Sequence, residues 1–274
     1  MRSLAGIAVI ASSAILLSGC TFLPMPVPTP TPTPTASGDG VLRIGDLTPI
    51  SGPLASTGAA QAAGIELAVR QINEQGGVLG SPIEVWHRDA GDTDPAKTEA
   101  NFTALLAHNV DVIVAPASAD VMDVLLPLAK KAGVLVVAPA NAKSAPPTAV
   151  ITPIVPDAEF SALLRSADPN LIDLNFGAEA YELTTALALS AVFLHDDGAD
   201  SLSFALSHVQ GPGITCASFG ACVSVLRTEP AISYRGPAGP YAYDVATGNV
   251  VFGAPISPTV SGTPSPQPTK SASK

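Results

Sequence analysis

Apolar residues recur at two spacings between Val41 and Val137, and the spacing changes repeatedly along this part of the chain. Short apolar runs of the kind found in buried strands predict β-strands at 41–47, 82–87, 110–114 and 134–137. Between the strands, apolar residues recur at helical spacing, as in the series Ile65, Ala68, Val69 and Ile72. Alternation of strand and helix predicts an α/β fold with a doubly wound, mostly parallel sheet.

Three local features refine this prediction. Asp94 before Pro95 is typical of a helix N-cap followed by proline in the first turn. Pro127 falls inside the third predicted helix and predicts a kink there. The runs 112–114 and 134–137 are apolar at consecutive positions, which indicates strands covered by helices on both faces.

After Val155 the strand and helix units no longer follow one another regularly. A fifth strand is predicted at 149–155 and short helices at 157–165 and 202–208. The segment 179–194 is apolar almost all round and predicts a helix buried against the sheet. Two short runs, 241–244 and 249–252, flank Thr247-Gly248 and predict a β-hairpin.

The N-terminus has the pattern of an export signal. Arg2 precedes an apolar run from Leu4 to Leu17, which is too short to cross a bilayer of about 30 Å as a helix. The run ends in Leu-Ser-Gly-Cys, which resembles the bacterial lipobox and implies a signal peptide at 1–19 and a lipidated Cys20. An ordinary secreted protein with an incidental cysteine is the alternative. Several acyl chains on one residue would hold the protein durably at a membrane.

Composition separates the folded part from its flanks. The stretches 21–40 and 257–274 hold ten of the 27 prolines, so we expect a Pro/Thr-rich stalk at 20–40 and a disordered tail at 257–274. The folded part is then 41–256. The formal charge of -10 argues against a nucleic-acid partner, because such proteins need clustered Lys and Arg.

Few residues suggest chemistry. Cys216 and Cys222 form an even pair in an exported chain and predict a disulfide, with metal binding as the alternative. His195-Asp196-Asp197 has the composition of a metal or acid–base cluster, but a solvated helix end is favoured. Asp89, Asp92 and Asp94 are compatible with calcium ligation, yet a polar loop is the preferred interpretation.

His87 and His108 are interpreted as ordinary packing or surface residues. The chain has no nucleophile-elbow, P-loop or zinc-protease motif. We therefore expect no catalytic residue, no metal and no cofactor, and a protein that is not an enzyme.

Five segments in order resemble the branched-chain amino acid type of solute-binding protein from bacterial ABC transporters. They are LRIGDLTPISGPLASTG from Leu42, ELAVRQINEQGGVLGSPIEVWHRDAGDTDP, VDVIVAPASADVMDVLLPLAKKAGVLVVAPANA, DLNFGAEAYELTTALALSAV and GPYAYDVATGNVVFG. The resemblance implies one lobe of a type I periplasmic-binding-protein fold, with 41–160 and 170–256 packed together. Most of the second lobe, which the family carries between Leu163 and Asp168, is absent.

The resemblance also implies a ligand site. The family-matched positions are Ser51, Thr57, Ser118, Ala119, Ala140 and Ala142. In the family, hydroxyls after the third and fourth strands hold the ligand carboxylate, and both matched positions, Ala119 and Ala142, are alanine here. Ser118 lies one position before Ala119, and the peptide groups of 118–120 could still donate to the carboxylate at the start of a helix. Ala140 offers a backbone carbonyl to the ligand ammonium group. Thr57 stands where the family tends to have an aromatic residue that packs on the ligand.

Three hypotheses for function follow. The first is a lipid-anchored, extracytoplasmic solute-binding component of an ABC transporter for amino acids, with weak or lost binding of a small amino acid or amide. Its partners would be an ABC permease and the outer face of the bacterial cell membrane. The second is a lipid-anchored scaffold or interaction protein derived from that family. The third is the product of an internally deleted gene that folds poorly.

Overall fold

The computed structural model describes residues 33–91, 94–139 and 153–253. The strands are β1 (Arg43–Thr48), β2 (Glu84–Asp89), β3 (Val112–Val114), β4 (Leu135–Pro139), β5 (Ile214–Cys216), β6 (Ile232–Tyr234), β7 (Tyr241–Asp244) and β8 (Asn249–Phe252). The helices are α1 (Ala55–Glu74), α2 (Pro95–Leu106), α3 (Ala119–Ala132), α4 (Ala158–Ala167), α5 (Gly177–Leu194), α6 (Ala199–Leu206) and α7 (Phe219–Leu226).

The strands of the described residues form a six-stranded sheet of order β2-β1-β3-β4-β8-β7 and a two-stranded sheet of β5 and β6. All neighbours in the larger sheet are parallel except β7 and β8 at one edge. Helices cover both faces, so the predicted doubly wound, mostly parallel sheet is confirmed. The predicted hairpin is confirmed as well, since Tyr241 pairs with Phe252 and Asp244 with Asn249 across β7 and β8.

Side chains of the central strands alternate between two apolar clusters. Val112 and Val114 pack with α1, α5 and α6 on one face, whereas Ile113 packs with α2 and α3 on the other. Both faces of β3 are therefore buried from solvent, as its uninterrupted apolar sequence predicts. Burial on two sides explains why this strand contributes to the core at every one of its three residues.

Polar residues at the helix starts fix where these helices begin. The Asp94 side chain accepts hydrogen bonds from the N–H groups of Ala96 and Lys97, and Pro95 is the first residue of α2, as predicted. The Asp157 side chain accepts from Phe160 at the start of α4. Each cap satisfies donors that a helix start leaves without intrahelical partners.

Helix α5 lies against α1 at a point where both helices carry glycine. A Cβ placed on Gly64 would lie 2.1 Å from the Gly177 carbonyl oxygen, so only glycine allows this approach. The Tyr181 hydroxyl donates to Gln71 Oε1 at 2.6 Å across the same interface. The buried helix predicted from the apolar sequence is thus held by backbone contact as well as by apolar packing.

A small unit follows α6 and was not predicted. Strands β5 and β6 pair in parallel with α7 between them. Each strand has three residues, and Ile214 and Thr215 of β5 are exposed, so the sequence shows no apolar pattern there. The predicted disulfide between Cys216 and Cys222 is present and ties β5 to α7.

The expected solvated helix end after α5 is wrong. Asp196 and Asp197 are 4% and 1% exposed. The Asp196 carboxylate accepts hydrogen bonds from the N–H groups of Ser37 and Gly38, and Asp197 Oδ1 accepts from Gly40. These aspartates anchor the segment that leads into β1, because backbone donors replace the lost water.

The predicted strand at 149–155 is wrong for residues 153–155, which have no regular structure; 149–152 lie outside the described residues. The N–H of Ile154 donates to the buried Glu179 Oε1 at 2.6 Å. This carboxylate supplies the acceptor that a neighbouring strand would otherwise provide. Among the described residues, no helix is both long and apolar enough to cross a membrane.

We expect Gly64→Ala to reduce the free energy of unfolding by about 2 kcal/mol or more, because the added methyl group overlaps the Gly177 carbonyl. Urea unfolding followed by circular dichroism measures the change. Gly220→Ala in α7 is the matched control, since its Cβ would meet only the Gln75 side chain. A Gly64→Ala variant as stable as the wild type would contradict the close contact.

Candidate functional site

The strands β1, β3 and β4 end at the same edge of the sheet. Asp46 is opposite Val114, and Val114 is opposite Val137, so the loops that follow these parallel strands leave together. In open α/β sheets this carboxyl edge is where ligands bind. The matched positions Ser51 and Thr57 follow β1, and Ser118 and Ala119 follow β3.

Ser51 is engaged in a polar network rather than free for a ligand. Its hydroxyl donates to Asp89 Oδ2 at 2.6 Å and accepts from Lys97 Nζ at 3.0 Å. Lys97 Nζ also contacts Asp89 Oδ2 directly. Asp89 Oδ1 accepts from the N–H groups of Ile50 and Gly91.

The network has an electrostatic effect on Asp89. Partial burial favours the neutral acid, but hydrogen bonds from Lys97, Ser51 and the backbone outweigh it and hold the pKa of Asp89 well below its usual range. Both Asp89 oxygens are therefore satisfied within the loop, which agrees with a polar loop rather than a calcium site. Asp92 lies outside the described residues, and no group of three His, Cys, Asp or Glu side chains in the described part of the chain is arranged to hold a metal ion.

Thr57 is also engaged. Its hydroxyl donates to Asp173 Oδ2 at 3.3 Å, which links the start of α1 to the segment between α4 and α5. Thr57 therefore connects two parts of the fold.

At the start of α3, Ser118 forms hydrogen bonds within the protein. The Ser118 hydroxyl accepts from the N–H of Val121 at 3.4 Å, and the Ser118 N–H donates to the Pro116 carbonyl at 2.7 Å. Because its N–H is engaged, the Ser118 peptide is not the free donor that we expected. The next residue, Ala119, is the first of the helix, where N–H groups have no partner within the helix.

The remaining matched positions, Ala140 and Ala142, lie outside the described residues, as does Cys20. The structure therefore brings Ser51, Thr57, Ser118 and Ala119 to one edge of the sheet.

Two buried polar side chains near the end of β1 were missed by the sequence analysis. The Thr48 hydroxyl and both polar atoms of the Gln61 amide are buried and make no hydrogen bond in the structure. Gln61 occurs four residues before Ile65, on the apolar face of α1, and this interruption was the available signal. Buried polar groups without partners offer hydrogen bonds to a ligand.

A third missed group is a row of charged side chains across β1, β2 and α1. Asp46 Oδ2 lies 2.6 Å from His87 Nδ1, and His87 Nε2 lies 2.6 Å from Glu66 Oε1. Asp46 is 1% exposed. The interpretation of His87 as an ordinary surface or packing residue is therefore wrong. Asp46 lies two residues after Ile44 and therefore on the same, inward side of an apolar strand. A charged residue at this position was the available sign of a buried ion pair.

The arrangement favours a charged imidazole. Hydrogen bonds to Asp46 and Glu66 raise the pKa of His87 to about 10, although partial burial opposes them. Burial raises the pKa of Asp46 while the His87 imidazole works in the other direction. The hydrogen bond to His87 lowers the pKa of Glu66.

Comparison with known proteins places this fold in a class. A sequence model described as periplasmic binding protein matches residues 41–167. The Leu/Ile/Val-binding protein homologs 7 and 8 of Brucella abortus (strain 2308) are 46% and 42% identical to this chain over 59 residues. Each match covers 22% of this chain and 15% of the relative.

A solved structure extends the likeness of the fold. The branched-chain amino acid transporter substrate binding protein LivJ from Streptococcus pneumoniae, in complex with isoleucine, superposes with a TM-score of 0.55 and 15% sequence identity. The superposition covers 77% of this chain and 94% of that chain. At this identity the likeness shows the fold alone.

Residues 41–167 thus match a sequence model of periplasmic binding proteins, and the fold is that of a lobe of a type I periplasmic binding protein. The chain spans about 15% of the length of the curated relatives it matches.

We expect His87→Gln to remove a pH dependence of stability. A histidine whose folded pKa is raised from 6.5 to about 10 adds stability that is complete below pH 6.5 and is lost as the pH rises toward 10. The wild type should lose on the order of 2 kcal/mol relative to His87→Gln over this window, less than the full shift implies because the imidazole is 37% exposed.

Urea unfolding of both proteins at pH 6.5, 8 and 9.5 measures this difference. Glu66→Gln is the matched control, since it keeps the contact between His87 and Asp46 and should retain part of the slope. Parallel stability curves for the wild type and His87→Gln would refute the charged arrangement.

Proposed function

We propose that this chain is a lipid-anchored, extracytoplasmic solute-binding component of an ABC transporter for small amino acids of the branched-chain type, with weakened ligand binding. The family match over residues 41–167 carries the proposal. The carboxyl edge of the sheet supports it, because Ser51, Thr57 and the start of α3 lie there. The Brucella relatives are named Leu/Ile/Val-binding protein homologs, which suggests the ligand class.

The start of α3 is the favoured position for the ligand carboxylate. A carboxylate leaving water needs hydrogen-bond donors. The N–H group of Ala119 supplies one, aided by the positive end of the helix dipole. Alanine at 119 removes the side-chain donor that the resembling family has at this place.

Two further features weaken the site. The hydroxyls of Ser51 and Thr57 already donate to Asp89 and Asp173, so each would have to exchange a protein partner for a ligand. The acid that meets the ammonium group in the resembling family belongs to the lobe that has no counterpart between Leu163 and Asp168. A ligand pocket normally buries about 70 to 90% of a small ligand, and one lobe encloses less.

Isothermal titration of the purified full chain with leucine, isoleucine, valine and their amides tests the proposal. We expect saturable binding with a dissociation constant above about 100 μM, equivalent to less than about 5.5 kcal/mol. No saturable binding of any of these compounds at 20 mM would remove the transport role. Submicromolar binding would show that the site is intact.

Restoring the missing hydroxyl sharpens the test. We expect Ala119→Ser to tighten amino-acid binding by about 10-fold or more, since a hydrogen bond to a charged group contributes about 1.5 to 3 kcal/mol. Ala132→Ser at the other end of α3 is the matched control and should leave the affinity unchanged. Equal affinities of both variants and the wild type would place the ligand carboxylate elsewhere.

The membrane anchor is tested separately. We expect Cys20→Ser to abolish incorporation of radioactive palmitate and to release the protein from the membrane fraction of a bacterial host. Cys216→Ser should retain labelling, because that thiol belongs to the disulfide. Labelled Cys20→Ser protein would contradict lipidation at this residue.

A second candidate is a lipid-anchored scaffold or interaction protein. The hydrogen bonds of Ser51 to Asp89 and of Thr57 to Asp173 favour it, because they stabilise the loops without a ligand. One titration distinguishes the two candidates. If the protein is a scaffold, the Ala119→Ser variant binds no amino acid. If it is a solute-binding protein, this variant must bind one.

A further inference from the structure

A cavity lies against β1 and the neighbouring edge strand β2. It has a volume of about 270 Å³ and opens between the first half of α1 and the strands β1 and β2. Its lining residues are Asp46, Ile50, Ala55, Gly58, Ala59, Ala62 and His87. The described lining residues belong to β1, β2, α1 and the loop that follows β1.

Asp46 gives the cavity its polar end. The side chain is 1% exposed, and only Oδ2 is engaged, by His87. Oδ1 makes no hydrogen bond of good geometry, although the Thr48 side chain is close enough to lower the pKa of Asp46. A buried carboxylate oxygen without a hydrogen-bond donor is costly, so a donor that reaches it is favoured.

The charged side chains near the cavity determine which sign of ligand charge is favoured. His87 lies between two carboxylates, Asp46 and Glu66. Two acidic side chains face one basic side chain in this row, so it favours a cation over an anion. A bare metal ion fits poorly, because both imidazole nitrogens already face carboxylate oxygens at 2.6 Å.

The walls select the shape of the ligand. Ala55, Gly58, Ala59 and Ala62 present only methyl groups or backbone, and this small-residue wall along α1 leaves the space open. Apolar walls with one polar end suit a short alkyl chain that carries a hydrogen-bonding head. A volume of about 270 Å³ accommodates a chain of a few carbons.

We propose that this cavity binds a small primary alkylammonium compound, with its ammonium group donating to Asp46 Oδ1 and its alkyl chain lying along Ala55, Ala59 and Ala62. The buried carboxylate with an unused oxygen and the small-residue wall beside it carry the proposal. It is independent of the proposed amino-acid site, because an amino acid here would place its own carboxylate beside Asp46.

The probe is n-butylammonium chloride, titrated into the ¹⁵N-labelled full chain at pH 7 and followed by amide NMR shifts. We expect saturable binding in the millimolar range, with shifts centred on Ala55, Ala59 and Ala62. 1-Butanol, which has the same chain without the charge, should bind at least 10-fold more weakly, and butyrate should not bind. No saturation by 50 mM butylammonium, or equal binding of 1-butanol, would overturn the proposal.

Two variants test separately the contact with the ammonium group and the contact with the alkyl chain. Asp46→Asn should weaken butylammonium binding at least 10-fold. Ala59→Leu fills the cavity from an exposed position on α1 and should abolish binding without disturbing the core. Ala132→Leu, at an exposed position of α3, is the matched control and should bind as the wild type does. Unchanged affinity in Ala59→Leu refutes this cavity as the site even if Asp46→Asn fails to fold.

Discussion

The buried contact between α1 and α5 is the interaction on which the rest of this fold depends. Helix α1 follows the first strand, whereas α5 comes about a hundred residues later, and the two meet where Gly64 and Gly177 bring the backbones together. The apolar face of the sheet that includes Val112 and Val114 is covered by these two helices and α6. Without α5 this face would be open to water, because α1 alone covers only part of it. The return of the chain to the first sheet is therefore required by the hydrophobic effect before any function is considered.

Buried carboxylates join the later segments to this core. The chain has 23 acidic residues and 13 Lys and Arg, so many acidic groups have no cation as a partner. Glu182 accepts from the N–H groups of Gly236 and Ala238, and burial raises its pKa to about 7 in spite of these hydrogen bonds. Asp196 and Glu179 hold other connections by the same kind of contact. Backbone donors substitute for cations here, and each such carboxylate fixes a segment that has no sheet hydrogen bonds of its own.

The parts of the fold that the sequence predicts are those whose stability is local or periodic. Apolar spacing predicts the central strands, Asp94 before Pro95 predicts the start of α2, and Thr247-Gly248 predicts the hairpin. The unit of β5, α7 and β6 escapes prediction because its strands are three residues long and β5 is mostly exposed. The contact of Asp46 with His87 escapes because the residues lie 41 positions apart. Only the pairing of β1 with β2 brings them together, and that register is a tertiary property.

Among the described residues, polar groups at the carboxyl edge and polar groups between β1 and α1 differ in whether they have partners. At the carboxyl edge, the hydroxyls of Ser51, Thr57 and Ser118 all take part in hydrogen bonds within the protein. A ligand there gains little from them, since each new hydrogen bond replaces an existing one. Along β1 and α1, by contrast, Asp46 Oδ1 and the Gln61 amide are buried without hydrogen bonds. Burial has already removed water from these atoms, so a ligand that reaches them gains hydrogen bonds without displacing protein partners. The buried polar atoms of α1 and β1 thus have more unused hydrogen-bonding capacity than the hydroxyls of Ser51, Thr57 and Ser118.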